Sequence, residues 1–277
     1  MENRTKTIGI VAPARAITTE IAEAAKKVAA DTFPDGNLSL RFHPQCFMAH
    51  NHFAGRDEDR AAAFIEYAND PAIDAIWFAR GGYGSCRFPN DTFAALNDHA
   101  AAKTYLGYSD IGAILGFLYK QGIGKIAHGP MIADITRQGG NEAILRALRY
   151  LNADSNPSID QTIDPTQKNI AFNIKVLSHI IGTAWQPDFT DHVIALEDIA
   201  EYHYQIDRSL FTITSNENIQ KCRGIKLGRC SDIPENDIDF GYSDVEIVKY
   251  WCEKNSIEFL GSADIGHDAD NKIVPFG

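Results

Sequence analysis

The 277-residue chain is short of several features, and each shortage narrows what it can do. No apolar run reaches the roughly 18 residues that a membrane-spanning helix requires. Cysteine is scarce and dispersed: Cys46, Cys86, Cys222, Cys230 and Cys252 are odd in number and form no C-x-x-C pair. That pattern argues for reduced thiols rather than a disulfide framework or a zinc site. Cations are outnumbered, with 26 Lys and Arg against 37 Asp and Glu and a net charge of −11. Nucleic-acid binding as a general role is thereby disfavoured, because phosphates need clustered Lys and Arg. The first residues carry two basic side chains, but the apolar run that follows is too short for a signal peptide, so a cytoplasmic location is expected. Repeats and low-complexity segments are missing too.

What is present is ordinary for a folded protein, at 44% hydrophobic and 23% charged residues. Thr7–Ala12 reads as a buried first strand ended by Pro13, and Thr19–Ala30 as a helix. Leu38–Phe42 alternates like a strand. The loop after it carries His43, His50 and His52, which lack partners at metal-ligand spacing. Arg56–Asn69 is an amphipathic helix. Asp74–Ala79 is a strand that runs into the glycine-rich loop Arg80-Gly-Gly-Tyr-Gly-Ser-Cys-Arg87. That loop lacks the spacing of a phosphate-binding motif; an oxyanion loop and a plain tight turn both fit it. Alternating strands and helices up to about residue 150 imply a parallel α/β sheet, with active loops at the strands' carboxyl ends. Asn152–Lys168 is polar with two prolines and reads as a boundary. The expected division is residues 1–152, a linker at 153–168, and a second domain at 169–277.

The most informative stretch is Lys103–Gly112, K-T-Y-L-G-Y-S-D-I-G. Thr104–Leu106 read as a strand, and the apolar run after Asp110 has helical spacing. Ser109 therefore falls on a strand-to-helix turn, where a hydroxyl projects from the sheet and helix-start amides can hold an oxyanion. The second glycine comes three residues after the serine, so the hydrolase elbow G-x-S-x-G is not matched. Taken alone, the turn fits a nucleophile or a helix cap. The same tetrapeptide recurs at Gly241–Asp244, where Ser243 and Glu246 form a capping box that accounts for that copy fully. Ser109 lacks the acid at that position. Its turn, the Arg80–Arg87 loop and His128–Pro130 all fall at strand ends, which favours the nucleophile.

Several stretches, in order, resemble the LD-carboxypeptidase family of serine peptidases. They are I-G-I-V-A-P near the start, A-R-G-G-Y-G-S at 79–85, G-Y-S-D at 107–110 and H-G-P-M at 128–131. I-G-T-A-W-Q-P at 181–187, L-E-D-I-A-E-Y-H-Y-Q-I-D-R at 196–208, and G-H followed by V-P-F-G at the end complete the set. The resemblance implies a flavodoxin-like parallel α/β domain, then a mainly β, barrel-like domain with a few helices, and an active site between them. It further implies Ser109 as nucleophile, Glu197 as the orienting acid, His267 as general base, and the Gly82 and Asp110 amides as oxyanion hole. Glu201, four residues from Glu197 and able to share a helical face with it, is the rival acid; His128 is the rival base; Asp198 and Asp207 read as structural. Arg80 or Arg87 could bind the substrate's terminal carboxylate or form a structural salt bridge, and Tyr83 joins Arg80 among the substrate-contact candidates. The implied reaction is release of the terminal D-alanine from a peptidoglycan tetrapeptide by a homodimer, without metal or other cofactor, nucleic acid or membrane. The alternatives are a microcin-immunity-type peptidase acting on acyl-nucleotides, with Trp185 stacked on a base, and a non-catalytic muropeptide-binding protein. Two departures from the family pattern stand out: Ala171-Phe172-Asn173 replaces a Gly-Gly-Asn turn, which predicts a loop of different shape, and Ala12-Pro13-Ala14 replaces A-P-S.

Overall fold

The computed structural model describes residues 4–89, 91–152 and 159–277; the first part of the expected linker, 153–158, lies outside them. In chain order the elements are β1 (Lys6–Val11), α1 (Thr19–Thr32), β2 (Leu38–Phe42), α2 (Asp57–Asn69) and β3 (Ala75–Phe78). Then follow α3 (Asp98–Ala101), β4 (Thr104–Gly107), α4 (Gly112–Gln121), β5 (Lys125–His128) and α5 (Gly140–Asn152). The second half adds β6 (Lys168–Asn173), α6 (Ile174–Ile180), β7 (His192–Ile199), α7 (His203–Thr214) and β8 (Gly224–Ser231). It closes with α8 (Asp244–Lys254), β9 (Phe259–Ser262) and β10 (Val274–Pro275).

Two sheets result. The first runs β10-β5-β4-β3-β1-β2 and is parallel except at β10, which pairs antiparallel with β5. Its central strands are apolar on both faces because helices cover both. Ile8, Ile10, Trp77 and Leu106 pack against α1 and α5, while Ile76, Phe78 and Tyr105 pack with Phe64 of α2 and Leu115 of α4. The chain end thus returns to the first sheet, tying the two halves together.

The α/β class is as expected, and the second half departs from the expectation in detail. Its sheet, β6-β7-β8-β9, is four-stranded, open and parallel throughout, with α6, α7 and α8 packed on it, rather than mainly β and barrel-like. Parallel strands need helical crossovers, and the short capped helices after β6, β7 and β8 supply them.

Ala171-Phe172-Asn173 is likewise no loop. It is the end of β6, and Asn173 caps α6 through its side chain, accepting from the Val176 N–H at 3.0 Å. Phe172 is fully buried and wedges against Gly112 and Gly116 of α4, with Phe189 and Phe276 on its other sides. It keys the second half onto the helix that follows Ser109. Phe172→Ala should cost about 3–5 kcal/mol, as truncating a buried aromatic does; a chemical denaturation midpoint unchanged from wild type would refute this.

Candidate active site

Ser109 stands between β4 and α4 with φ of +58°, a left-handed conformation that few non-glycine residues adopt. It begins a 3-10 turn, Ser109–Ile111, that continues into α4, and its side chain caps nothing there. The strain is characteristic of functional turns. Glycines make room for it: a Cβ on Gly81 would lie 3.1 Å from Ser109 Cβ and press on the serine. Gly82 has φ of +110°, and a Cβ there would meet Arg15 Cδ at 2.4 Å.

The glycine loop is held from two sides. Ser85 donates its N–H to Asp110 Oδ2 at 2.9 Å and its hydroxyl to the Asp110 carbonyl at 2.5 Å. Burial raises the Asp110 pKa against those hydrogen bonds. On the far side the fully buried Arg60 of α2 donates to Pro13 O, Gly55 O and Gly84 O and pairs with Asp57. Nothing in the amphipathic pattern of α2 distinguished Arg60. A buried arginine survives only when its donors are met, and here backbone carbonyls and one carboxylate meet them.

The second half brings His267 and Glu197 to the same place. Glu197 lies on β7, fully buried, and its Oε2 accepts a short hydrogen bond from His267 Nδ1. His267 Nε2 is 3.0 Å from Ser109 Oγ. With the ring neutral, Nδ1–H donates to the carboxylate, which leaves Nε2 as the acceptor for the serine hydroxyl. Burial pulls the His267 pKa down, but the charge and hydrogen bond of Glu197 outweigh it, and the net shift is upward. Tyr108 packs on the ring at 4.8 Å between centroids, and its hydroxyl donates to Asp134 at 2.8 Å.

The other sequence candidates sort clearly. His128 is buried and hydrogen-bonds Asn271, which also accepts from the Gly266 N–H, and burial pushes its pKa down to about 4. It braces the loop that carries His267 as a neutral ring. Glu201 is not on a helical face shared with Glu197: β7 runs through Ile199, and Glu201 pairs with Lys175 at 3.3 Å in the loop beyond. Asp198 accepts from Asn173, Lys175 and Ile199, and burial, then the Glu197 charge, push its pKa up to about 7. Asp207 accepts from the Trp251 indole at 2.9 Å. Arg87 is bound to Asp57 on the surface, away from the serine. Tyr83 is half exposed and packs on His52 and Phe53. Trp185 is partly buried and packs against Phe93 and Phe117. Among the described residues no cluster of His, Cys, Asp and Glu could hold a metal ion, the three loop histidines included.

Ser109, His267 and Arg80 open onto a cleft of about 500 Å³, whose walls also include Arg15, Asp134 and Arg137. The last three were not singled out in the sequence; each follows a strand end of the first sheet, which is the one signal that could have marked them. Arg137 pairs with Asp134 at 2.8 Å.

Fold and cleft together define a class: a serine hydrolase built on two parallel α/β units with its site between them. The chain belongs to the LD-carboxypeptidase family, whose N-terminal domain matches residues 8–129 and whose C-terminal domain matches residues 169–277. A putative carboxypeptidase of Synechocystis is 31% identical over 238 residues, covering 82% of this chain and 77% of the relative. The murein tetrapeptide carboxypeptidase of Pseudomonas aeruginosa is 24% identical over 98% of this chain and 91% of its own. Among solved structures, the muramoyltetrapeptide carboxypeptidase of Oxalobacter formigenes superposes with a TM-score of 0.79 at 24% identity, covering 97% of this chain and 93% of that one. The MccF complex with glutamyl sulfamoyl guanosine superposes at 0.78 and 17% identity, over 99% and 91%. At such identities the structural matches speak for the fold. No helix among the described residues is long and apolar enough to cross a membrane.

Proposed function

We propose that the protein is a serine LD-carboxypeptidase that releases the terminal D-alanine of peptidoglycan-derived tetrapeptides through Ser109, His267 and Glu197. The observation that carries this reading is the hydrogen-bonded chain from Glu197 through His267 to a strained, cleft-facing Ser109. Its membership of a carboxypeptidase family supports the substrate class. His267 Nε2 takes the Ser109 proton as Oγ attacks the scissile carbonyl, and Glu197 holds the tautomer and stabilises the imidazolium. The Gly82 and Asp110 amides receive the oxyanion. His267 then protonates the departing amine, D-alanine leaves, and water attacks the acyl-enzyme by the same route. Arg80, beside Gly81 in the cleft wall, binds the leaving residue's carboxylate.

The experiment is a mass-spectrometric assay of D-alanine released from a purified muropeptide tetrapeptide, run beside an aminoacyl-nucleotide conjugate. Release from the tetrapeptide is the expected result. Cleavage of the conjugate alone would move the activity to acyl-nucleotides, and binding without turnover of either would make the protein a muropeptide carrier.

Two further outcomes follow from the geometry. Catalysis needs neutral His267, so kcat/KM should fall as pH drops through its pKa, with the inflection above the ordinary histidine value because of Glu197. Glu197→Gln removes the charge that raises it, so the residual activity should show that inflection at lower pH; an unshifted profile would separate His267 from the acid limb. Gly82→Ala forces a side chain into Arg15 and an unfavourable φ. It should reduce kcat by about 10²–10³, as losing one oxyanion donor does.

A further inference from the structure

The histidine that serves Ser109 sits on no element of regular structure. Between β9 and β10 the chain from Ala263 to Lys272 forms neither helix nor strand, and His267 lies in the middle of it. Ser109 belongs to the first half and Glu197 to the second, so this one stretch has to satisfy both at once. Its ring holds Nε2 3.0 Å from the serine hydroxyl and Nδ1 on the carboxylate. A displacement of about 1 Å costs a catalytic group roughly 10²-fold in rate. A loop keeps to that tolerance only where other side chains lock it in place.

Two arginines grip it, one from each half, and neither lines the cleft. Arg229 of β8 takes hold on both sides of His267. Its guanidinium is bidentate on Asp268, with Nη2 donating to Oδ1 at 2.9 Å and Nε to Oδ2, while Nη1 donates to Asp264. Its own N–H donates to Ile265 O at 2.8 Å, and a Cβ on Gly266 would meet Arg229 Cβ at 3.0 Å, so backbone and side chain both lie against the loop. These ion pairs are partly exposed, and a single pair of that kind adds little stability. A rigid fork on two carboxylates fixes geometry instead. Arg146 of α5 approaches from the first half. Its Nη1 donates to Ala269 O at 2.7 Å and to Asn271 O at 3.1 Å. Ala269 is seated beside the turn before α5, its Cβ 3.2 Å from where a Gly139 Cβ would stand.

We propose that Arg229 and Arg146 are positioning residues for His267: Arg229 holds the base on Glu197, and Arg146 holds the loop against the half that carries Ser109. The division follows from where the groups belong. Glu197, His267 and Arg229 all lie in the second half, so their arrangement does not depend on the first. Arg146 reaches the loop backbone from the first half, and His128 adds a bond to the Asn271 side chain. These roles rest on the proposed triad.

The test compares the full-length wild type with Arg146→Met, Arg146→Lys and Arg229→Met. Two readouts are taken: the rate at which a fluorophosphonate labels Ser109, which is independent of the peptide substrate, and the far-downfield proton NMR signal of the His267 Nδ1–H held by Glu197. In Arg146→Met the labelling rate should fall by about 10- to 100-fold while the downfield signal persists. Arg146→Lys keeps the charge and the stem but not the fork, and its rate should lie between the two; it is read in the same way if Arg146→Met does not fold. In Arg229→Met the rate should fall as far, and the signal should broaden away through exchange with water. On the tetrapeptide, kcat should carry the loss with KM within about twofold, because neither arginine lines the cleft. Labelling within about twofold of wild type in both methionine variants would overturn the inference. Loss of the signal in Arg146→Met would overturn the division of roles, and full recovery of its rate on cooling below its unfolding transition would leave Arg146 a stabilising residue only. An unlabelled Ser109 in wild type would instead refute the triad, and these roles with it.

Discussion

Ser109→Ala should abolish release of D-alanine, with kcat falling by about 10⁴- to 10⁶-fold, as removal of the nucleophile does in other serine hydrolases. The size of the loss follows from the arrangement. His267 Nε2 has one reacting hydroxyl, at 3.0 Å, and the loop and turn around it are shaped for that residue. Substrate binding should survive, because the rest of the cleft, Arg80 included, is untouched. The melting temperature should stay within a few degrees of wild type, since Ser109 caps nothing and lies at a strained φ that alanine also tolerates poorly. Turnover within tenfold of wild type would remove Ser109 from the mechanism.

Glu197→Gln should lower kcat by about 10⁴ while leaving the fold intact, the effect of losing the acid that holds a catalytic histidine in its tautomer. Glutamine is nearly isosteric. Presenting its amide N–H to Nδ1 would favour the tautomer with the proton on Nε2, which cannot accept from Ser109. Glu197 is fully buried between β6 and β8, and its Oε1 has no hydrogen-bond partner among the described residues. Neutralising it therefore removes a desolvation cost, and the variant should unfold at equal or higher denaturant concentration than wild type. A loss of activity accompanied by a large loss of stability would make Glu197 a structural residue. By contrast, Glu201→Gln removes only one end of a partly exposed pair with Lys175 and should change kcat by less than about twofold.

The sequence carried the local features of the first sheet well. The strand, turn and helix around Ser109 are spelled by β-formers, glycines and a helical apolar run, and the structure places them at 104–107, 109–111 and 112–121. The capping box at Ser243 and Glu246 was equally plain. Features created by tertiary contact were not legible. The sequence allowed Glu197 and Glu201 to share a helical face, yet β7 runs on through Ile199, with neighbours that satisfy Glu197 and Asp198. Periodicity carries no trace of a buried Arg60, whose partners are backbone carbonyls from three separate loops. Phe172 reads as an affront to a glycine turn until the cleared faces of Gly112 and Gly116 are seen opposite it. His267 and Glu197, 70 residues apart, meet only because the carboxyl end of β7 and the segment after β9 come together; the family resemblance, not spacing, brought them forward. The aromatic neighbours of Trp185 and Tyr83 were equally invisible in the sequence, because they come from other loops and helices.

The account turns on whether His267 activates Ser109. The direct measurement is peptide mapping by mass spectrometry after reaction with a fluorophosphonate, comparing wild type with His267→Ala. An activated serine hydroxyl displaces fluoride and stays phosphonylated; an ordinary one reacts far more slowly. The expected result is modification of wild type at Ser109 alone, with the rate falling at least about a hundredfold in His267→Ala, the scale of a lost general base. An unmodified Ser109, a label on another serine, or equal rates in the two proteins would contradict it.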